Sequence, residues 1–341
     1  MNGSLIVGIL KSPDRWEKYY IQACEDLHIT YKLIDITAND WYKQVADASV
    51  HGILVRPSGQ NEVLKQMYCE RLYFIENQLH LLMYPSYLGI LSYENKRFQH
   101  YWMDVNGISH PQTWVFYDND SATRFFSNYR NYPLVSKPNL GGAAEGVKIL
   151  KNIYESAKTA NKVFTRCKFY NPGIFRWRKY KHLFKYPVME DPQRNYLYIQ
   201  EFVEAKWEWR IIKIGNSYFG HQKLSDGKHF SGSGLVGWVR PPLELLKRTK
   251  LISQLSGIRA VNVDYFETVS GDFLVNEIQT IWGGQLDFQM MIDGKPCRFI
   301  DTGADFVLEY GVFHQNKGCN LRVLDFISLL RISQQLTDSK E

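Results

Sequence analysis

Apolar and polar positions change in blocks along the first ninety residues. Residues 5–10, 32–36 and 51–55 are short apolar runs, and Trp16 to Leu27, between the first two, has helical spacing. Short buried strands separated by helix-compatible segments predict a small α/β domain on a parallel sheet. Past residue 90 the pattern shifts. Phe98, Trp102 and Val105 recur at helical spacing, Gly107 suits the position just beyond a helix end, and Pro111 blocks continuation. Strands are predicted over 113–117, 133–137 and about 147–151, with an Asp/Asn-capped helix over 121–129. A strand over 196–203 runs through a short connector into 207–214, which Gly215 and Asn216 turn back into 217–223. A helix over 242–255 follows, and strand-like runs at 299–301 and 306–308 precede an amphipathic helix near 324–332.

Between Arg259 and Gln279 the pattern predicts a β-hairpin of Val-, Phe- and Tyr-rich strands folding over Ser270 and Gly271. If the turn is symmetric about those two residues, paired positions sum to 541. Asp264 then faces Glu277, and Asn262 faces Gln279, on one side of the sheet. Like charges directly opposed, with Cβ atoms roughly 5 Å apart, destabilise a strand pair unless a cation lies between them. Oxygen-only ligands on strands suit Mg²⁺. The spacing fits solvated edge acids equally well, and a three- or five-residue loop would shift the register and break the pairing.

Composition narrows the class. The chain has 341 residues, 45% hydrophobic and 22% charged, enough for two or three domains of soluble globular type. No run approaches a membrane span and the first residues lack a basic, apolar leader, so a cytoplasmic location is expected. Five cysteines (Cys24, Cys69, Cys167, Cys297, Cys319) without a C-x-x-C spacing exclude a disulfide framework and a cysteine zinc site as the organising principle. The net charge of +6 mildly favours an anionic ligand. The loop Lys11-Ser-Pro-Asp after the first apolar run is not a dinucleotide fingerprint. Arg56, after the third run, suits a substrate carboxylate or solvent.

Two further stretches carry chemistry. Between Lys137 and Val147, Gly141, Gly142 and Gly146 would let backbone amides approach phosphate oxygens, with Lys137 as a point charge; a plain flexible hairpin is the other reading. From Lys162 to Met189 there is no acidic residue, and basic residues are interleaved with aromatics. That mixture suits a polyanion or peripheral contact with an anionic membrane, or an insertion whose aromatics pack inward. No nucleic-acid motif accompanies it, and no nucleic-acid partner is expected.

The order of these parts, over about residues 91–285, resembles the ATP-grasp superfamily, in particular its glutathione synthetase, D-alanine–D-alanine ligase, ribosomal-protein glutamate ligase and synapsin branch. The resemblance implies an α/β fold with α+β lobes: a Rossmann-like pre-ATP-grasp domain (1–90), a central lobe (91–195) and a C-terminal lobe (196–341). It implies that Lys96 and Lys137 contact ATP phosphates and that Gly141, Gly142 and Gly146 form the flap over them. Gln200, Glu201, Phe202 and Val203 match the adenine-holding connector, and Glu208 the acidic residue on the ribose. Arg210 and Lys223 resemble catalytic contacts to the transferred phosphate. Asp264 and Glu277 fit the metal triad; Gln279 stands where asparagine is usual, with its amide oxygen still available, and Asn262 matches the residue just before the first acid. The implied activity is ATP- and Mg²⁺-dependent ligation of a carboxylate to an amine through an acyl phosphate, on a small molecule, peptide or surface glycan. The alternatives are a synapsin-like ATP-binding module without turnover and a phosphotransferase. Oligomeric state is open, a homodimer included.

Overall fold

The computed structural model describes residues 5–12, 14–57, 62–141, 146–164, 195–225, 235–283 and 286–338. Strands β1 (Ile6–Leu10), β2 (Thr30–Ile34), β3 (Gly52–Leu54) and β4 (Leu82–Tyr84) form a parallel sheet in the order β2-β1-β3-β4. Helices α1 (Lys18–Asp26), α2 (Trp41–Ala48) and α3 (Glu62–Asn77) make the crossovers. The parallel α/β expectation is met. Strand β2 begins two residues earlier than the apolar run suggests, because it is an edge strand whose first residues, Thr30, Tyr31 and Lys32, need not be apolar.

Helices α4 (Tyr87–Ser92) and α5 (Lys96–Val105) lead into a second sheet. It comprises β5 (Thr113–Phe116), β6 (Leu134–Lys137), β7 (Lys148–Leu150) and β8 (Leu197–Glu201), antiparallel in the order β5-β8-β6-β7, with α6 (Asn119–Asn128) and α7 (Ile153–Phe164) between its strands in sequence. Asp118 caps α6 by accepting from the Ser121 amide at 2.7 Å, so that helix starts two residues before its predicted start. Leu134, Leu197 and Ile199 pack on Ala122, Phe126 and Ala160, filling one face of this sheet. Residues 165–194, which include most of the basic-aromatic stretch over 162–189, together with Gly142 and the loop over 226–234, lie outside the described residues.

The third sheet holds β9 (Ala205–Ile214), β10 (Ser217–Lys223), β11 (Val236–Gly237), β12 (Ala260–Thr268), β13 (Phe273–Gln279), β14 (Met291–Ile292), β15 (Lys295–Asp301) and β16 (Phe306–Tyr310). Its path is β13-β12-β9-β10-β15-β14, with β11 on β10 and β16 on β15. Helix α8 (Leu243–Ser256) covers one face, where Thr249 and Tyr265 share a hydroxyl hydrogen bond at 2.9 Å. Helix α9 (Gln315–Asp338), broken near its start by left-handed backbone at Asn316, Lys317 and Gly318, ties the first sheet to the third: Asp325 accepts from Tyr84 Oη at 2.9 Å and from Arg259 Nε at 2.8 Å. A Cβ on Gly52 would lie 2.6 Å from Phe326, so only glycine lets β3 approach α9 this closely. Among the described residues, no helix is long and apolar enough to cross a membrane.

Candidate functional site

The cleft face of the third sheet is set by alternation. In β9, Glu208 and Arg210 share one face and Trp209 and Ile211 the other. Register then assembles a charged row: Glu277 on β13 pairs with Asp264 on β12, which pairs with Arg210 on β9. One step along, Glu208 pairs with Lys223 on β10. Asn262 pairs with Gln279, as the hairpin reading expects.

That register arises differently from the symmetric turn. Near the turn the pairs sum to 540 (Phe266 with Leu274, Glu267 with Phe273), which closes a three-residue loop over Val269, Ser270 and Gly271. A β-bulge between Asp264 and Tyr265 leaves Asn276 without a partner across β12 and restores the sum of 541. Bulges re-aim side chains, and this one turns Asn276 into the cleft. Its Oδ1 accepts from Lys137 Nζ at 3.0 Å, and its Nδ2 donates to Glu208 Oε1 at 3.0 Å. Asn276 is a site residue that the sequence reading misses.

Asp264 is buried and heavily engaged. Arg210 donates to it twice at 2.9 Å, Lys223 once at 2.9 Å, and Asn262 Nδ2 at 3.1 Å. The counter-cation of Asp264 is therefore an arginine from the neighbouring strand, on the side away from Glu277. Burial alone would raise the Asp264 pKa, but Arg210 and then Lys223 outweigh it and hold the carboxyl far below the usual range. Lys223 also bonds Glu208 at 2.8 Å; burial lowers its pKa less than Asp264 and Glu208 raise it. Burial raises Glu208 above the ordinary carboxylate value, against the opposing pull of Lys223. Lys223 and Asn276 both meet the same oxygen of Glu208, Oε1.

The lysines enter from the second sheet and from α5. Lys137 ends β6 opposite Tyr198, and Gln200 sits in the same face's next row, donating to Thr113 Oγ1 at 3.0 Å. Burial, then repulsion from Lys96, lowers the Lys137 pKa to about 8. Lys96, the first residue of α5, donates to Gly141 O at 2.6 Å and lies 3.5 Å from Glu277 Oε1. Asn139 staples this loop to the helix, its Oδ1 accepting from the Arg97 amide at 2.8 Å. Gly141 and Gly146 both have positive φ, at +127° and +73°. Glu201 is pinned by the Gln112 amide at 2.7 Å, while Phe202 and Val203 belong to the connector between β8 and β9. Arg56 sits beyond β3 beside Asp14 at 3.4 Å, its guanidinium over the Trp16 and Tyr93 rings.

Two observations bear on a metal. Glu277 Oε1 and Asn262 Oδ1 are buried acceptors with no hydrogen-bond partner, and both belong to the patch that also holds Asp264. Hard oxygens without hydrogen bonds fit Mg²⁺, and Glu277 Oε1 has only the Lys96 ammonium at 3.5 Å as a neighbouring charge. Gln279 instead spends its carbonyl on the Glu94 amide at 3.2 Å, and Glu94 adopts φ +47°. Burial raises the Glu94 pKa, with Lys96 opposing and Glu277 adding to the rise.

The edge of β13 is closed by α5. Gln99 behaves as a one-residue strand: its Nε2 donates to Ile278 O at 2.7 Å and its Oε1 accepts from Ile278 N at 3.1 Å. This bond pair couples the helix carrying Lys96 to the strand carrying Glu277. Gln99→Ala would orphan both buried Ile278 groups and should destabilise the protein by about 1–3 kcal/mol; urea unfolding measures it, and an unchanged midpoint would refute the coupling.

No family model and no curated protein matches the sequence. The fold, by contrast, is similar to that of solved structures. D-alanine–D-alanine ligase from Bacillus anthracis superposes with a TM-score of 0.54, covering 96% of this chain and 99% of its own at 14% identity. The ATP-grasp ligase PsnB complexed with minimal precursor gives 0.54 over 94% and 99% at 14% identity. N5-carboxyaminoimidazole synthase from Aspergillus clavatus, in complex with ADP and its ribonucleotide, gives 0.54 over 88% and 82% at 11% identity.

Proposed function

We propose, for a chain that has the ATP-grasp fold, an ATP-dependent ligase that joins a carboxylate to an amine. The observation that carries this reading is the convergence of Lys96, Lys137, Arg210 and Lys223 on Asp264, Glu277 and Glu208 between two sheets.

A carboxylate oxygen of the acid attacks the γ-phosphorus of ATP, the bond to the β–γ bridging oxygen breaks, and ADP departs. The amine nitrogen then attacks the acyl carbon of the resulting acyl phosphate, the C–O bond to phosphate breaks, and the nitrogen loses a proton. No side-chain nucleophile is required. The chain supplies charge and position. Lys96 and Lys137 hold phosphate oxygens, and Arg210 and Lys223 turn from Asp264 toward the transferred phosphoryl group. The row containing Gln200 and the connector Glu201–Val203 hold adenine, and the loop from Gly141 to Gly146 covers the phosphates against water. Asp264 and Glu277, with the unpartnered Asn262 Oδ1 as the third oxygen, would hold Mg²⁺, which neutralises phosphate charge when bound.

A second reading, nucleotide binding without turnover, draws on Gln279: its carbonyl is committed to Glu94, which leaves the metal set one ligand short. An ADP-release screen with Mg²⁺-ATP across amino acids, peptides and sugar acids separates the two. Acid- and amine-dependent ADP release, with a hydroxamate trapped by hydroxylamine, is expected. Binding of Mg²⁺-ATP with no turnover on any pair would sink the ligase reading in favour of the second, and a stable phosphorylated product would replace it with transfer to a hydroxyl.

A further inference from the structure

Toward the C-terminal half of α5, three side chains converge. His100 and Asp104 lie one helical turn apart, with His100 Nε2 3.4 Å from Asp104 Oδ2. Gly107, at φ +64°, reverses the chain beyond the helix and returns His110 to the same spot. His110 Nε2 lies 3.1 Å from His100 Nδ1 and 3.3 Å from Asp104 Oδ1. Asp104 is more than half exposed, so the cluster opens to solvent on one side.

Proton accounting leaves the cluster one cation short. His110 Nδ1 lies 2.8 Å from Ile108 O, an acceptor only, so the neutral ring carries its proton there and presents a lone pair at Nε2. His100, if neutral, has one proton to place. On Nδ1 it satisfies His110, but Nε2 then faces the Asp104 carboxylate lone pair to lone pair. On Nε2 it satisfies Asp104, but two imidazole lone pairs then meet at 3.1 Å. In either tautomer His110 Nε2 also faces Asp104 Oδ1, acceptor to acceptor. Two of the contacts, His110 Nε2 to His100 Nδ1 at 3.1 Å and to Asp104 Oδ1 at 3.3 Å, are those of donors on a shared ion, since bonds of 2.0–2.1 Å at tetrahedral angles place neighbouring donors roughly 3.3 Å apart; with His100 Nδ1 on the ion, its Nε2 keeps the proton and donates to Asp104 Oδ2.

The geometry points to a divalent transition-metal site, Zn²⁺ or a chemically similar ion, formed by His100, Asp104 and His110 with its remaining position open to water. Two imidazoles and one carboxylate select such ions over Mg²⁺, which suits the oxygen patch at Glu277 and Asn262. The Ile108 carbonyl supplies the outer contact that fixes the His110 ring. The ion would staple the C-terminal turn of α5 to the segment entering β5.

The test uses the full chain, stripped with a chelator and titrated with Co²⁺, reading the visible d–d absorption, and then with Zn²⁺ in competition. One equivalent should bind with a nitrogen/oxygen-ligand spectrum, and excess Mg²⁺ should not displace it. Asp104→Asn, on an exposed side chain that the fold tolerates, and His110→Ala should each weaken binding at least tenfold. His80→Ala, at an exposed histidine elsewhere, should leave the isotherm unchanged. A Co²⁺ isotherm unaltered by Asp104→Asn and His110→Ala would overturn the proposal, as would the absence of any saturable Co²⁺ or Zn²⁺ binding, which would assign the missing cation to a proton on His100.

Discussion

Asp264→Ala should cost the folded chain about 3–5 kcal/mol and abolish ATP turnover at the same time. The stability loss follows from what stays behind. Arg210 and Lys223 are both buried, and Asp264 accepts three of their hydrogen bonds at 2.9 Å. Without it, two desolvated cations face each other with Glu208 as the nearby acid, and Glu208 already serves Lys223 and Asn276. Asp264→Asn keeps the shape but not the charge, so it should recover only part of the loss. The pH dependence has a definite sign. The folded-state pKa of Asp264 lies far below the roughly 3.9 of an unfolded aspartate, so its contribution is complete above about pH 4 and shrinks as the pH falls below that. Urea unfolding between pH 3 and 7 should show this acid slope in the native chain and a smaller one in Asp264→Asn. Equal midpoints at pH 7 for the native chain and both variants would mean that the network does not hold the sheet.

The hairpin shows how far the sequence reaches. Alternation and β-branched content are local properties, so β12 and β13 were legible, and the pairing of Asp264 with Glu277 follows from any register that sums to 541. The reason for that sum was not legible. The loop has three residues, which alone would have put Glu277 out of register; the bulge at Asn276 compensates, and a bulge shows in sequence only through a mismatch between loop length and pattern. Arg210 as the counter-ion of Asp264 depends on β12 lying beside β9, a contact between strands some fifty residues apart, which periodicity does not encode. For the same reason Gln99, Asn139 and Glu94 escape notice: the first two bond backbone groups distant in sequence, and the amide of the third donates to the distant Gln279 side chain. Helix α1 is the opposite case, since the helical spacing from Trp16 to Leu27 marks it, and Tyr20, Ala23 and Cys24 are buried on it. The His100, Asp104 and His110 cluster lies between, with an i, i+4 pair in plain view and a third member that joins only because Gly107 reverses the chain.

Lys137 should show the second large effect, and its two consequences have opposite signs. Its pKa of about 8 leaves it largely charged at pH 7 and largely neutral at pH 9. If the ammonium holds phosphate oxygens, kcat/KM for ATP should fall above pH 8, approaching tenfold per pH unit. Lys137→Arg, whose guanidinium does not titrate there, should remove that alkaline limb. Lys137→Met should lower kcat/KM at pH 7 by about 10²–10³, the usual cost of one preorganised donor to developing charge, and should leave the profile flat. Stability moves the other way. The folded-state pKa lies below the roughly 10.4 of an unfolded lysine, so between pH 8 and 10.4 the unfolded chain holds a proton that the folded chain has released, and stability from this group rises with pH across that window. Below pH 8 the charged group is a net burden on the fold, carried beside Lys96 and only partly relieved by Glu277 and Glu208. Lys137→Met should therefore be more resistant to urea at pH 7 while being nearly inactive. A variant that loses activity and stability together would mark Lys137 as a structural partner of Asn276, and the phosphate role would have to be given up.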